Sequence, residues 1–337
     1  MVKLNKKKKA YLLVGFGLII LTLGVLLSIS LGANDMSFAT TIQSLFSSNV
    51  DINTNIVKDI RLPRAIAAVL VGGFLAVSGA IMQGITRNPI ADPSVMGITQ
   101  GATFTIAIAL VLQTLVPKVA LGSFGLMIFA FLGSSISGLL VYFVSSKSRG
   151  KVDPVKLALA GTALGTLLVS LAMAISMYFN LSQQLSFWIS GGLTSAKWEG
   201  VKLLFIVGGL STILAMIMAP KITILSLGEE VAIGLGQKTN LVRFICLMLV
   251  ILLAGSSVAV AGNIVFVGLI VPQIVKSIVG ADYKYIIPCS LVLGSILLVY
   301  SDIIARMINP PFETPIGSLT ALLGVPVFIY LVRKETK

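Results

Sequence analysis

About ten stretches of this chain run for close to the thickness of a lipid bilayer with few or no charges, and that recurrence restricts the fold more than any motif does. A bilayer core is about 30 Å thick, so a helix that crosses it needs about 20 apolar residues. The stretches fall at 11–32, 64–85, 94–115, 120–145, 156–179, 201–219, 243–262, 264–279, 285–304 and 316–332. The eighth is short and glycine-rich, which suits a broken, tilted or internally buried segment. With 56% hydrophobic and 11% charged residues among 337, a water-soluble fold is close to excluded. No polar stretch is long enough to form a soluble domain. The expectation is therefore an all-α polytopic protein of about ten transmembrane helices, with residues 1–337 forming one membrane domain.

A net charge of +13 in a soluble chain would suggest nucleic acid, but here the positions of Lys and Arg set orientation instead. With the amino terminus inside, cytoplasmic segments hold the cluster from Lys3 to Lys9, then Arg87, Lys147, Arg149, Lys151, Lys156, Lys221, Lys238, Arg243, Lys276, Lys284, Arg333, Lys334 and Lys337. Lys58, Arg61, Arg64, Lys118, Lys197, Lys202 and Arg306 face outward. Both termini are then cytoplasmic, as an even number of crossings requires. The basic run and the apolar stretch after it read as a first helix, because the apolar core exceeds that of a cleaved signal peptide. Trp198 and Phe187, in the outer segment 180–200, suit interfacial anchors.

Several chemistries lack their residues. The chain has no histidine, and its two cysteines, Cys246 and Cys289, sit in separate apolar segments as packing residues. No cofactor or bound metal is expected. The nearest imitation of a phosphate-binding loop, Gly234-Leu235-Gly236-Gln237-Lys238-Thr239, lacks the glycine before lysine, so the chain is not expected to bind ATP. No nucleophile with a supporting base is recognisable, which argues against an intramembrane enzyme. All twelve acidic residues read as lying in loops or near helix ends. An ion-coupled carrier keeps an ionisable group near mid-membrane, so this pattern favours a permease driven by a separate ATPase.

Two segments carry finer information. From Gly72 to Ala102 the chain reads GGFLAVSGAIMQGITRNPIADPSVMGITQGA. Gly72, Ala76 and Ala80 recur every four residues and make a smooth helix face that another helix can approach. Pro89 stops the helix after Arg87-Asn88, and Asp92-Pro93-Ser94 reads as the cap of the next one. On residues alone this is a well-capped turn. The whole string, with S-G-x-x-x-Q, R-N-P-[LI]-A-x-P and G-x-x-x-G-A, resembles the permease family that imports iron–siderophore complexes and vitamin B12. The positions that carry the likeness are Ser78, Gly79, Gln83, Arg87, Asn88, Pro89, Pro93, Gly97 and Gly101. A second similar segment begins AGNIVFVGLIVPQIVKSIVGADYKYIIPCSLVLGS at Ala261 and continues through SDIIAR and ETPIGSLTALLGVPVFIYLV. The family commonly has P-H-I-x-R where this chain has Pro272-Gln273-Ile274-Val275-Lys276, so no special role is read into Gln273.

The resemblance implies partners. Leu227, Gly228, Glu229, Glu230, Ala232, Leu235 and Gly236 correspond to a segment that docks on a cytoplasmic ATPase dimer, although a solvated acidic loop has the same composition. Arg61, Arg64 and Arg306 correspond to arginines that receive glutamates from an extracytoplasmic siderophore-binding protein, and guanidinium groups suit that role by binding carboxylates through parallel hydrogen bonds. Snorkelling, or an intrachain pair of Asp302 with Arg306 at i, i+4, are the alternatives. The resemblance also implies a second permease subunit, identical or paralogous, and a place in the bacterial cytoplasmic membrane. Ferric siderophore is the expected cargo, with haem, vitamin B12 or free metal ion as competitors. A secondary carrier working alone is the rival from another class.

Overall fold

A computed structural model describes residues 6–32, 36–47, 51–116, 121–146, 154–310 and 312–335. Lys3, Lys118, Lys147, Arg149, Lys151 and Lys337, used above to orient the chain, lie outside them. The described residues are almost wholly helical, and eight helical stretches are long and apolar enough to cross a bilayer. In chain order, α1 is Lys6–Ser30, α2 is Phe38–Phe46 and α3 is Ile52–Asn55. A π-helical turn, Ile56–Arg61, joins α3 to α4, Leu62–Thr86. Next come α5 (Ile98–Leu115), α6 (Ser123–Ser145), α7 (Pro154–Tyr178) and the short outer α8 (Ser182–Ile189). The sixth crossing is continuous from α9 (Trp198–Leu203) through a π turn (Leu204–Gly208) into α10 (Gly209–Leu227). Then follow α11 (Glu229–Gly234), α12 (Thr239–Ala261), α13 (Val267–Val279), α14 (Tyr283–Met307) and α15 (Ile316–Glu335). Two of these, α13 and the apolar part of α15, are shorter apolar helices, which completes the ten expected.

Burial ranks the helices. The apolar windows of α4 and α12 are 83% and 78% buried, whereas those of α1 and α7 are 22% and 17% buried. The bundle is thus built around α4 and α12. Small residues make that possible, because helices in lipid associate through close packing rather than hydrophobic exclusion. A Cβ on Gly72 of α4 would run into the carbonyl of Gly294 of α14, and one on Gly79 into the carbonyl of Gly268 of α13. The smooth face foreseen from Gly72 and Ala76 is therefore the α14 contact, with Gly79 serving α13 from a neighbouring position on the helix.

The eighth crossing is broken, and the structure shows how. Val267 begins α13 only after a non-helical run from Gly262 to the left-handed Phe266 (φ 68°), so the helix spans part of the membrane. At the outer end of the run, a Cβ on Gly262 would lie against the carbonyl of Trp188, which belongs to α8. At its inner end, Gly268 lies against Leu75, midway along α4 and roughly 16 Å from that helix's inner end at 1.5 Å per residue. Irregular backbone is tolerated at membrane depth where protein surrounds it.

Lys221 lies within α10, which continues through Pro220 to Leu227, and α12 begins at Thr239. One expectation needs correction. An ionisable residue does reach mid-membrane. After Arg87, which closes α4 in the left-handed conformation (φ 53°), the chain folds back into the bundle. Asp92 consequently borders a small cavity with Leu75 of α4 and Ala254 and Val258 of α12. A Cβ on Gly268 would lie 3.4 Å from Asp92 Oδ2. Asp92 Oδ1 accepts the Ser94 amide at 2.9 Å and so caps the 3-10 turn Pro93–Met96, as the sequence indicated.

Candidate functional site

The two signature segments meet through their glutamines. Pro272 has no N–H, so the carbonyl of Gly268, four residues earlier in α13, loses its helical partner. Gln83 of α4 supplies one: its Nε2 donates to Gly268 O at 3.3 Å and to Leu269 O at 2.9 Å. Gln273 Nε2 then donates to Gln83 Oε1 at 2.8 Å and to Pro89 O at 2.9 Å. Gln273 thereby ties α13 to both α4 and the returning loop, a role the sequence did not assign. The remaining signature residues pack nearby. Ser78 donates to Leu75 O at 2.8 Å, and Asn88 Oδ1 accepts the Ile90 amide at 3.1 Å. Gly97, at φ 68°, gives its carbonyl to Ser137 of α6 at 2.8 Å. Gly101 packs against the backbone of Gly133, also on α6.

At the outer end, the three arginines are drawn inward and each is paired within the chain. Arg61, 6% exposed, donates to the carbonyls of Ile29 (3.0 Å) and Ser30 (2.8 Å), which end α1. Arg306 donates to the carbonyls of Ser28 (3.2 Å) and Leu31 (3.0 Å) and forms the anticipated i, i+4 pair with Asp302 at 3.0 Å. Arg64 is held at two edges. Its Nε and Nη2 face Asp302 Oδ1 at 3.0 and 2.8 Å, while Nη1 and Nη2 face Glu313 Oε1 and Oε2 at 2.6 and 3.0 Å. The Asp302 side chain is 0% exposed and that of Glu313 is 34% exposed. Glu313 also accepts from Thr194 Oγ1 on the loop between α8 and α9. Burial alone would push the Glu313 carboxyl upward, but hydrogen bonds from Arg64 and Thr194, with the charges of Arg64 and Arg306, hold it below the usual carboxylate range.

Glu313 and Thr194 line an outer cavity of about 430 Å³. Its walls come from Phe187 and Trp188 near the end of α8, Met127 of α6 and the turn at Gly262. Neither Glu313 nor Thr194 was singled out from the sequence, although Glu313 opens the quoted string ETPIGSL. Phe187 is 79% exposed, and Trp198 is anchored by donating Nε1–H to Lys58 O at 3.0 Å.

At the inner end, α11 forms a compact projection. Gly228, at φ 140°, breaks α10 and starts α11, and Gly236, at φ 77°, follows it. Ala232 is fully buried and seats the turn, while Leu227, Val231, Ile233 and Leu235 are 64%, 46%, 54% and 66% exposed. Glu229 pairs with Arg243 of α12 at 3.1 Å, and Glu230 is exposed. Four exposed apolar side chains on a turn fixed by an ion pair make a surface suited to a groove on another protein.

Similarity settles the kinship of this arrangement. The FecCD transport family profile matches residues 20–334. The chain belongs to the FecCD transport family. It is 47% identical over 322 residues to the iron(3+)-hydroxamate import system permease protein FhuB of Bacillus subtilis (strain 168), covering 95% of this chain and 83% of that one. It is 35% identical over 335 residues to the hemin transport system permease protein HmuU of Yersinia pestis, covering 98% of each. A solved metal-chelate type ABC transporter in an inward-facing conformation superposes with a TM-score of 0.82 at 28% identity, covering 95% of this chain and 98% of that one. This FecCD chain is a multi-pass permease of the ABC-importer class in the bacterial cytoplasmic membrane.

Proposed function

We propose that this permease carries ferric siderophores inward, hydroxamate chelates first among them. The 47% identity to a protein named as an iron(3+)-hydroxamate permease is the observation that carries this reading. Haemin is the second reading, favoured by the 35% identity to a haemin permease over nearly the full length of both chains. Two permease subunits, identical or paralogous, enclose the pathway. An ATPase dimer works from the cytoplasm and a cargo-binding protein delivers from outside. The chain has no complete phosphate-binding loop of its own, which is consistent with ATP hydrolysis in a partner.

The α11 projection, Leu227 to Gly236, docks on the ATPase. Its apolar exposure supports this, since a merely solvated loop has no need of four outward-facing aliphatic side chains. The Arg61, Arg64 and Arg306 cluster receives the binding protein, with Arg64 linked to the surface through the partly exposed Glu313.

The test is uptake of radioactive iron, presented as hydroxamate, catecholate and citrate chelates, in a strain lacking siderophore import and supplied with this chain and its partners. Entry of the hydroxamate chelate supports the cargo proposal. Entry of labelled haemin or vitamin B12 but no iron chelate leaves the architecture and rejects the cargo.

A further inference from the structure

We propose that Glu313 is an exchangeable counter-ion, occupying on Arg64 the place that a carboxylate of the extracytoplasmic partner takes on docking, so that docking loosens the mouth of the outer cavity. This rests on the reading that the binding protein docks at the arginine cluster.

The two carboxylates on Arg64 differ in what holds them. Asp302 is 0% exposed, lies within α14 and is claimed by Arg306 as well as Arg64. Removing it strands two buried guanidinium groups, so it is a permanent partner. Glu313 lies in the connection between α14 and α15, is about one-third exposed and covers the other edge of the same guanidinium. An incoming carboxylate reproduces both of its hydrogen bonds to Arg64, because a guanidinium donates to any carboxylate in the same two-pronged geometry. Only Glu313 can yield its place without opening the bundle.

Glu313 has a second attachment, through Thr194 Oγ1 to the loop between α8 and α9. That loop, through Thr194 and Ser195, and the residues from Glu313 to Ile316 each line part of the wall of the 430 Å³ cavity. A single carboxylate therefore ties one wall segment to the other and both to α4. When a partner carboxylate captures Arg64, Glu313 leaves, its contact with Thr194 is no longer anchored to α4, and the two segments separate. Arrival of the partner and widening of the outer mouth become one event.

The experiment uses the complete transporter in lipid nanodiscs and its cargo-loaded binding protein. Nitroxide labels at Ser195→Cys and Phe312→Cys report the separation of the two segments; both positions are exposed, and the native Cys246 and Cys289 are buried. Glu313→Gln is expected to bind the binding protein several-fold more tightly and to show, without any partner, the longer label distance that the unmodified transporter reaches only when docked. Unchanged or weaker binding by Glu313→Gln overturns the exchange, as does a docked transporter whose two segments stay together. A binding protein with its surface glutamates changed to glutamine separates the two ideas. If it docks as well as its parent, the arginine docking reading falls and the exchange falls with it; if it fails to dock while Glu313→Gln is unaltered, docking stands and only the exchange is lost.

Discussion

A buried guanidinium is tolerable only with its counter-charge, and Asp302 serves two of them. Asp302→Asn leaves Arg64 with Glu313 alone and Arg306 with carbonyl oxygens. The expected loss is about 3–5 kcal/mol, the range for breaking a buried pair by removing one partner. A thermal unfolding scan of the purified permease reads it as a large fall in Tm, whereas Glu313→Gln, removing a partly solvated partner, lowers Tm little. Glu313 also carries a pH signature. Its carboxyl is held below the usual carboxylate range, so the folded state gains stability from it above that range. The gain is lost as pH falls through the depressed value. The acid limb of a Tm-against-pH curve is expected to flatten in Glu313→Gln; an unchanged limb would assign acid lability elsewhere. Gln83 contributes without charge. Gln83→Leu returns the Gly268 carbonyl to its unpartnered state beside Pro272 and costs about 1–3 kcal/mol, the penalty for a buried unsatisfied acceptor, which the same unfolding scan would read as a lowered Tm.

Among elements, the packing of α4 against α13 depends on the absence of a side chain at Gly79. Gly79→Ala pushes a methyl group into the Gly268 backbone, which has no rotamer with which to retreat. Gly15→Ala, where nothing lies within 4 Å, is the matched control. The first is expected to lower Tm and the yield of assembled transporter, and the second to leave both unchanged. The helices themselves were legible because each crossing must be a long apolar run, and even the weakness of the eighth was visible in its glycines and short length. The re-entry of Asp92 was not: an acidic residue between two apolar runs looks like a loop, and only the left-handed turn at Arg87 with the capped 3-10 turn carries it to mid-depth. The pairing of Arg64 with Glu313 was equally hidden, since 249 residues separate partners that no local periodicity connects. The Asp302–Arg306 pair was readable because helical spacing puts it on one face. On the inner side, Leu235→Asp alters a side chain that is 66% exposed and touches little of the bundle. The expected outcome is a normally folded permease that no longer retains its ATPase on an affinity column.

For the whole molecule, Asp92 bears on the source of energy. A carboxylate at membrane depth is by default a candidate for ion coupling, and an external ATPase was favoured from the sequence because no such group was visible there. In the folded chain Asp92 has a structural role instead. It starts the turn that leads into α5, and its oxygen is committed to the Ser94 amide. Asn and Asp cap helical turns about equally well, so Asp92→Asn keeps that role and removes the charge. In proteoliposomes containing the complete transporter, Asp92→Asn is expected to take up ferric hydroxamate with ATP inside at close to the parental rate, and neither version is expected to respond to a protonophore. Asp92→Ala, which removes the cap as well, is expected to lower Tm and the amount of assembled complex. If Asp92→Asn assembled normally yet lost uptake, or if a protonophore stopped the parent with ATP still present, the carboxylate would be part of the drive rather than the scaffold. Intact uptake in the Asn variant leaves Asp92 with a structural reason to lie at membrane depth, and ATP as the source of the work.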